Sequence, residues 1–434
     1  MKPSIYNSYF NFSDGIQMIY NAYTDMFVLL RSKIIVDSQN IISTETTSPE
    51  FYENAINSGC VIENKVDEVE NVRNEIIRAN ENDEFFHLTI NPTLNCNFKC
   101  WYCYENHQVN SKMTLETICS IAALISASIS KNNNYKKVLI SFFGGEPLMY
   151  FNETVKPLIL KADELCKRHN RDFEIHFTSN AFLLYDATIK FLSNYSCSFQ
   201  ITLDGHRDRH NTVRYNDAGG SYDTILNNII SLAQSGIRVL VRINCTRSNV
   251  DDLVNILQDF KRGIKPDTAN MLSFDIQRVW QDIDIDVNSE TESEINNKIS
   301  DYIKLYRDNG YRVNSVLISN KVKNCCYGDK THHATINYNG DVYQCTARDF
   351  NETNRMGRLC PDGTINWDKM TVNKRNSHKF SNPVCHSCRI APICGGGCSQ
   401  NSIERPHNGR CPFGYTEEKI DEIILTRFRY MHMV

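Results

Sequence analysis

The segment "LTINPTLNCNFKCWYCYE", residues 88–105, brings three cysteines together directly after a strand-like run. Cys96, Cys100 and Cys103 are separated by three and then two residues, so a short loop can wrap their thiolates around one small object. A structural zinc site would need a fourth ligand, for which His107 is the near candidate. An iron–sulfur cube held by three cysteines would instead keep one iron open for a ligand. The spacing favours the cube and leaves zinc as an alternative.

The whole chain has 434 residues, of which 41% are hydrophobic and 23% are charged, so it is long enough for more than one core. A net charge of -4 gives no indication of a nucleic-acid partner or an anionic membrane surface. The sequence contains no apolar run typical of a signal peptide or a membrane span, which predicts a cytoplasmic protein. Disulfides rarely persist in a reducing compartment, so 17 clustered cysteines indicate metal binding.

Residues 86–318 alternate strand-like apolar runs with amphipathic helical segments. The strand candidates are "FHLTINP", "VLISFFGG", "EIHFTSN", "SFQITLDG", "VLVRINC" and "LSFDIQR". The helix candidates are "TLETICSIAALISASI", "TVKPLILKADELCKRH", "SYDTILNNIISLAQSG" and "DDLVNILQDFKR". Repeated β-then-α units predict an α/β fold of parallel strands, and six units fit an open, partial (β/α)6 barrel. Chemistry in such folds gathers at the carboxyl ends of the strands.

The two ends of the chain differ in texture from this central region. Residues 1–85 contain the strand-like runs "SYFNF", "QMIYNAY" and "MFVLLRSKIIV", followed by helical segments, which predicts a small α+β domain. Beyond residue 319 the periodicity fades while glycine and cysteine become frequent. Residues 319–434 are therefore predicted to form a loop-dominated, cysteine-rich domain that is organised by something other than a large core.

The segment "CNFKCWYCYE" resembles the CxxxCxΦC signature of the radical S-adenosylmethionine (SAM) superfamily, in which Φ is aromatic. Three further motifs follow in the family's order: "FFGGEP" (142–147), "TSN" (178–180) and "LDG" (203–205) with "HNTVR" after it. The resemblance implies that the three cysteines of the loop carry a 4Fe–4S cluster. The residues that it implies for SAM binding are Tyr102, Gly144, Gly145, Glu146, Ser179, Asn180 and Arg214.

This resemblance also implies a reaction. In the family the fourth iron chelates SAM, an electron from the reduced cluster breaks a C–S bond, and the resulting 5′-deoxyadenosyl radical abstracts a hydrogen from the substrate. The GGEP backbone and Glu146 would hold the SAM amino group. The Arg214 guanidinium would hold the SAM carboxylate, because a planar fork of N–H donors suits a carboxylate.

The C-terminal cysteines resemble the seven-cysteine pattern of the SPASM domain, which holds two auxiliary 4Fe–4S clusters. The segment "CHSCRIAPICGGGC" ends at Cys398 and is followed by Cys411. A zinc ribbon is the alternative, since C-x2-C is a common zinc half-site. By the family's pattern the outer auxiliary cluster would be bound by Cys385, Cys388, Cys394 and Cys411.

The family's pattern leaves two ligand positions of the inner auxiliary cluster open. The pattern implies Cys345, Cys398 and one of the adjacent pair Cys325 and Cys326. The fourth position would be Cys360, the other member of the pair, or an open iron that awaits a substrate thiolate; Cys360 or an open iron is favoured because adjacent cysteines seldom bind one cluster comfortably. The cysteines outside these motifs are predicted to be buried small apolar residues: Cys60, Cys119, Cys166, Cys197 and Cys245.

Enzymes with a SPASM domain generally modify peptides or proteins, and the resemblance covers residues 86–434. It implies three 4Fe–4S clusters, SAM, and an external electron donor such as flavodoxin or ferredoxin. The favoured interpretation is a maturase that installs a crosslink or related C–H modification in a ribosomally made precursor peptide. Residues 1–85 would grip the leader of that precursor by strand addition, with a purely stabilising cap as the alternative.

Two other functions are weighed. Anaerobic sulfatase-maturating enzymes, which oxidise cysteine or serine to formylglycine, usually carry an aspartate directly after the cysteine that corresponds to Cys345. Here that position is Thr346, with Asp349 three residues further on, and a long segment precedes the first cysteine loop. A non-enzymatic metal-cluster scaffold that binds peptides would have no use for a SAM grip. Glu146 and Arg214 turned away from the first cluster would favour the scaffold.

Overall fold

The computed structural model describes residues 1–12, 15–31, 35–82, 84–217, 219–279, 289–314, 326–405 and 409–431. They form two compact units. The smaller unit contains the described residues of 1–82, 326–331 and 369–431, and the larger contains those of 84–314 and 332–368.

The smaller unit contains the first strands and the helices of both ends of the chain. Its strands are β1 (Lys2–Pro3), β2 (Asn7–Asn11), β3 (Ile16–Asn21), β4 (Met26–Arg31) and β5 (Val61–Ile62). Its α-helices are α1 (Thr44–Thr47), α2 (Pro49–Asn57), α3 (Glu68–Glu81), α11 (Lys369–His378), α12 (Pro383–His386), α13 (Ala391–Cys394), α14 (Ser399–Glu404) and α15 (Glu417–Met431).

The larger unit contains one sheet and the helices that cover it. Its strands are β6 (Phe85–Asn91), β7 (Lys137–Phe142), β8 (Asp172–Ser179), β9 (Ser196–Leu203), β10 (Arg238–Cys245), β11 (Leu272–Arg278), β12 (Arg312–Val313), β13 (His333–Asn337), β14 (Asp341–Tyr343), β15 (Gly357–Leu359) and β16 (Ile365–Trp367). Its α-helices are α4 (Leu115–Lys131), α5 (Lys156–Arg168), α6 (Asp186–Leu192), α7 (Arg207–Val213), α8 (Tyr222–Gln234), α9 (Leu253–Gly263) and α10 (Ser289–Asp308).

The sheet of the larger unit has the strand order β12-β11-β10-β9-β8-β7-β6-β13-β14-β15-β16. Neighbouring strands are parallel from β12 to β13, and β14, β15 and β16 continue the sheet in antiparallel fashion. The six predicted strands are β6 to β11, and the four predicted helices are α4, α5, α8 and α9. The predicted α/β fold with a parallel sheet is confirmed.

The C-terminal part of the chain contributes strands that the sequence did not predict. Strand β13 pairs in parallel with β6, with His333 opposite His87 and Asn337 opposite Asn91. The sheet therefore crosses the domain boundary that was placed between residues 318 and 319. Only five residues long, β13 lies among glycine- and cysteine-rich loops, and its partner is far away in sequence, so no local periodicity indicates it.

Side chains alternate between the two faces of the parallel sheet. From β7 to β10 every second residue is fully buried, and these residues form one core with apolar side chains of α4, α5, α8 and α9. The residues between them face away from the helices and are half-buried. The sheet thus has a helix-covered apolar face and an opposite, accessible inner face.

The smaller unit joins both ends of the chain in one core. Strands β2, β3 and β4 form an antiparallel sheet, as predicted from the first 36 residues. Tyr6 and Met18 from this region pack with Phe380, Ile390 and Ile424 from the C-terminal segment. None of the helices in the described part of the chain is long and apolar enough to cross a membrane.

Candidate active site

The three-cysteine loop follows the carboxyl end of β6. Cys96 and Cys100 are half-buried, and the backbone N–H of Cys103 donates to the Cys100 carbonyl oxygen at 3.1 Å. Burial raises the pKa of the Cys96 thiol to about 12 and also raises the pKa of Cys100. The charge of Cys100 acts on the thiols of both Cys96 and Cys103, so the structure brings the three predicted thiols together.

His107, the fourth zinc ligand that the spacing allowed, has its Nε2 atom 3.5 Å from the Sγ atom of Cys103. In the described ranges no three Cys, His, Asp or Glu side chains are arranged to hold a single metal ion.

The "GGEP" loop after β7 packs directly against the cysteine loop. Gly145 has a positive φ of 51°, and a Cβ atom there would lie 2.1 Å from the carbonyl oxygen of Asn95. The Glu146 N–H donates to that same oxygen at 2.9 Å. Only glycine fits this position, because the two loops touch through their backbones. The N–H of Gly145 also donates to the Glu105 carboxylate at 2.7 Å.

Glu146 is fully buried at the carboxyl ends of β7 and β8. Its carboxylate accepts hydrogen bonds from the Leu148 N–H at 2.9 Å, the Ser179 hydroxyl at 2.8 Å and the Asn180 N–H at 2.7 Å. Burial raises the pKa of Glu146, and these three donors oppose the rise. The carboxylate therefore ties the "GGEP" and "TSN" loops together.

Asn180 continues this connection to the cysteine loop. Its Nδ2 atom donates to Oδ1 of Asn97 at 2.8 Å and lies 3.9 Å from the Sγ atom of Cys96. Three of the predicted SAM-binding residues, Glu146, Ser179 and Asn180, thus surround one side of the first thiol.

Arg214 lies on the other side of the cysteine loop and is 8% exposed. Its Nη1 atom donates to Tyr102 Oη at 2.7 Å and forms an ion pair with Asp204 Oδ2 at 3.3 Å. Tyr102 and Asp204 are also hydrogen-bonded to each other. The charges of Arg214 and Glu146 both act on the Cys96 thiol, so neither predicted SAM-binding side chain is turned away from the first cysteine loop.

Two residues of the site, Asp204 and Glu105, were not predicted from the sequence. Asp204 fixes Arg214 and Tyr102 by hydrogen bonds. Its place in the "LDG" motif was a sequence signal that could have indicated this role. Glu105 directly follows the cysteine loop, and burial raises its pKa to about 7, with the charge of Asp349 adding to the rise. Its role depends on Gly145, 40 residues away, and no local pattern indicates that contact.

The loop after Cys345 docks on the end of the first cysteine loop. The Tyr104 hydroxyl donates to the Thr346 carbonyl oxygen at 2.8 Å, and the Asn106 N–H donates to Asp349 Oδ1 at 3.1 Å. The Nδ2 atom of Asn106 donates to the other carboxylate oxygen of Asp349. Asp349 therefore fixes the position of this loop.

The four thiols predicted for the outer auxiliary cluster lie together in the smaller unit. They line a cavity of about 130 Å³, and their charges act on one another. Burial raises the pKa of Cys385 to about 12 and that of Cys394 to about 11. The members of this set are Cys385, Cys388, Cys394 and Cys411. A shared cavity lined by four thiols fits a thiolate-bound cluster, and their assignment as ligands stays a prediction.

The predicted inner set is distributed over both units. Cys345 and Cys360 belong to the larger unit and Cys326 and Cys398 to the smaller one, while Cys325 lies outside the described residues. The inner ligand set therefore stays a prediction.

Of the five cysteines outside the motifs, four are buried as predicted. The fifth, Cys119, is exposed, because it lies on the outward side of α4 rather than among the core residues of that helix. The prediction for Cys119 was wrong.

A parallel sheet whose strand ends carry a three-cysteine loop, a glycine-glutamate loop and a buried arginine is the arrangement of the radical SAM fold. The sequence model of the Radical SAM superfamily matches residues 90–260. Residues 90–260, which carry the three-cysteine, glycine-glutamate and arginine segments, are therefore similar to the Radical SAM superfamily.

Three proteins illustrate what the chain is similar to. The radical SAM cyclopropyl synthase TigE of Paramaledivibacter caminithermalis is 24% identical over 414 residues, which cover 87% of this chain and 82% of TigE. The structure of anSMEcpe with bound AdoMet has a TM-score of 0.61 at 16% identity, covering 80% of this chain and 93% of that one. The structure of Streptococcus suis SuiB bound to the precursor peptide SuiA has a TM-score of 0.52 at 16% identity, covering 93% and 97%. At these identities the two structures share the fold.

Proposed function

We propose that this protein is a radical SAM maturase with a SPASM-type C-terminal region, and that it installs a crosslink or related C–H modification in a ribosomally made precursor peptide. The observation that carries the proposal is the convergence of Glu146, Asn180 and Arg214 on the Cys96–Cys103 loop. Buried charged groups of both signs around three thiols are costly for a fold, and they suit a zwitterionic ligand bound next to a metal cluster.

The residues present fit a 4Fe–4S cluster and SAM. Cys96, Cys100 and Cys103 would hold the cluster, because they supply three thiols within one short loop. When bound and reduced, the cluster would supply the electron that cleaves SAM and generates a 5′-deoxyadenosyl radical, which takes a hydrogen atom from the substrate.

The protein's own groups would bind and orient SAM. The Arg214 guanidinium, held by Asp204 and Tyr102, would donate hydrogen bonds to the SAM carboxylate, while the "GGEP" and "TSN" loops would surround the SAM amino group. Glu146 supports this SAM-binding site, because its carboxylate accepts three hydrogen bonds that fix both loops. The exclusion of water from this buried loop cluster would protect the radical from side reactions.

A peptide substrate is supported by the relatives. TigE is described as a cyclopropyl synthase, and SuiB was solved with its precursor peptide SuiA. The similarity to TigE makes a new carbon–carbon bond the first modification to test. Cys385, Cys388, Cys394 and Cys411 would hold the outer of two auxiliary clusters, which would supply a route for the electron released when the substrate radical is oxidised. A flavodoxin- or ferredoxin-like partner would be the external electron donor.

The N-terminal sheet of β2, β3 and β4 is the proposed leader-binding element. Strands β2 and β4 are the outer strands of this sheet, and an extended peptide can add to such an edge. Met26 and Leu29 on β4 are exposed large apolar side chains, which suits contacts with a peptide.

Formylglycine formation remains a second candidate, because the fold match to the anSME sulfatase maturase covers most of that chain. Against it, position 346 is threonine where these enzymes usually carry aspartate. A passive scaffold is disfavoured, since Arg214 donates to Tyr102 within the cysteine loop and the Glu146 N–H donates to the Asn95 carbonyl oxygen beside it.

Coexpression with each short open reading frame found next to the gene, followed by mass spectrometry of the encoded peptides, tests the proposal. A loss of two hydrogens that requires Cys100 but not the exposed Cys119 supports a crosslinking maturase. Conversion of a cysteine to an aldehyde would establish formylglycine formation instead. An unchanged peptide in the presence of demonstrated SAM cleavage would overturn the peptide substrate.

A further inference from the structure

The inner face of the sheet carries an ionic network beside the first cysteine loop. On β10 and β11 the residues that face away from the helix-covered core are Arg242, Asn244, Asp275 and Gln277, with Arg242 opposite Asp275 and Asn244 opposite Gln277 in the parallel register. These four polar side chains therefore form one patch on the accessible side of two neighbouring strands.

A chain of hydrogen bonds connects the patch to the candidate active site. Arg242 Nη1 donates to Asp275 Oδ2 at 2.5 Å, and Gln277 Nε2 donates to Asp275 Oδ1 at 2.7 Å. Arg242 Nε donates to Asn244 Oδ1 at 3.2 Å, and Asn244 Nδ2 reaches Tyr102 Oη at 3.4 Å. Tyr102 lies in the cysteine loop itself, so hydrogen bonds link the patch directly to that loop.

An ion pair in this place is poorly explained by stability alone. The side chain of Asp275 is 10% exposed and that of Arg242 is 28% exposed, so both charges are largely removed from water. The desolvation cost of such a pair tends to cancel its mutual attraction, and apolar residues of similar size would serve folding equally well. Because the Arg242 side chain is partly exposed, a ligand can reach the ion pair.

The chemistry of the patch selects the kind of ligand. A guanidinium beside a carboxylate presents a strong donor and a strong acceptor with no net charge, and the two flanking carboxamides each offer both functions. A neutral group with a donor and an acceptor side by side matches this arrangement. The peptide bond is that group, since its C=O can accept from Arg242 while a neighbouring N–H donates to Asp275.

We propose that Arg242 and Asp275 form an amide-binding site that holds the backbone of the core peptide next to the residue being modified. This inference rests on the proposed function, because it takes a peptide as the substrate. Arg242 and Asp275 are thus positioning residues that align the reacting C–H bond with the radical generated beside Tyr102.

The test uses the reconstituted enzyme, with the peptide encoded by a short open reading frame next to the gene as the probe. Arg242→Gln and Asp275→Asn are compared with matched controls Arg238→Gln and Asp172→Asn, which alter exposed residues at the starts of β10 and β8. Four quantities are measured: affinity for SAM, 5′-deoxyadenosine formed without peptide, modified peptide formed per 5′-deoxyadenosine, and melting temperature.

For both site variants we expect about a tenfold or greater fall in modified peptide per 5′-deoxyadenosine, because a hydrogen bond to a charged group is lost. SAM affinity and peptide-free cleavage should stay within about twofold of wild type. The controls should match wild type in all four quantities. Altered SAM affinity would assign the pair to cofactor binding, and wild-type coupling in both variants would remove any substrate role; either result overturns the inference.

A double variant, Arg242→Asp with Asp275→Arg, separates binding from a structural role. It restores the ion pair but reverses donor and acceptor relative to Tyr102. We expect the melting temperature to recover and the coupling to stay low. Full recovery of coupling would overturn the inference. If the wild-type enzyme cleaves SAM but leaves the peptide unmodified, the proposed peptide substrate fails, and the amide-binding site falls with it.

Discussion

Glu146 has the most demanding position among the site residues, since one buried carboxylate accepts three hydrogen bonds from two loops. In Glu146→Gln the amide nitrogen cannot accept, so at least one donor loses its partner. We expect the metal-free protein to lose about 1–3 kcal/mol of unfolding free energy, measured by urea denaturation. The exposed Glu153→Gln is the control, and equal losses in both variants would contradict the assigned role.

The raised pKa of Cys96 predicts how stability depends on pH. Burial raises the pKa of the native Cys96 thiol to about 12, whereas a cysteine thiol in an unfolded chain has a pKa of about 8.5. Below the unfolded pKa both states are protonated and the thiol has no effect. As pH rises above it, only the unfolded chain loses the proton, so the metal-free protein loses stability.

Urea denaturation of the metal-free protein at pH 7 and pH 9.5 checks this expectation. Cys96→Ala should lose less stability between the two pH values than wild type does. An identical pH dependence in the two proteins would show that Cys96 is not buried as its pKa implies.

At the residue scale, the motifs could be predicted because the cysteine, "GGEP", "TSN" and "LDG" segments each lie within a few consecutive residues. What each side chain contacts could not be predicted. Arg214 meets Tyr102 across 112 residues and Glu105 meets Gly145 across 40, and no periodicity encodes such pairs.

At the element scale, the close approach of two loops decides whether the first cysteine site can form. In Gly145→Ala the new Cβ atom would overlap the Asn95 carbonyl oxygen, so the cysteine loop must move. We expect loss of most iron from the first cluster, measured by iron analysis of a variant in which the auxiliary cysteines are also removed.

Gly236→Ala is the matched control, because Gly236 also has a positive φ, of 77°, but has open space around its Cβ position. It shares the backbone strain and lacks the clash. Similar iron loss in both variants would assign the effect to strain rather than to loop contact.

Arg389 connects three elements around the outer thiols. Its guanidinium donates to the Ser8 hydroxyl of β2 at 2.9 Å and forms ion pairs with Glu417 and Asp421 of α15 at 2.9 and 2.7 Å. Arg389→Ala should therefore loosen the loop between Cys388 and Cys394. We predict reduced iron content and a lower melting temperature, with the exposed Arg410→Ala unchanged. Full iron content in Arg389→Ala would show that the contacts of Arg389 with Ser8, Glu417 and Asp421 are not needed to hold the outer cluster.

Strand and helix prediction succeeded where periodicity was long and regular. Strands β6 to β11 and helices α4, α5, α8 and α9 all have buried positions at the spacing of their type. Helices α6 and α7, with seven residues each, are too short to give a clear period. Strand β13 was not predicted because it is also short and because its partner, β6, is distant in sequence.

At the scale of the whole molecule, the ends of the chain form one folding unit. The buried Arg427 of α15 forms an ion pair with Asp25, whose carboxylate also accepts from the Tyr20 hydroxyl at 2.8 Å, and Phe27 packs edge-on against Phe428 at 5.0 Å. The sequence indicated an independent N-terminal domain because its strands and helices are locally complete. The shared core with the C-terminal segment is a long-range feature that composition does not reveal.

The central claim is that the first three thiols hold a cluster with one iron left for SAM. Anaerobically reconstituted enzyme is reduced in the presence of SAM, and 5′-deoxyadenosine is measured by liquid chromatography and mass spectrometry. We predict that wild type and Cys119→Ala form it and that Cys100→Ala does not. A wild-type enzyme that carries its full first cluster and forms no 5′-deoxyadenosine would contradict the account.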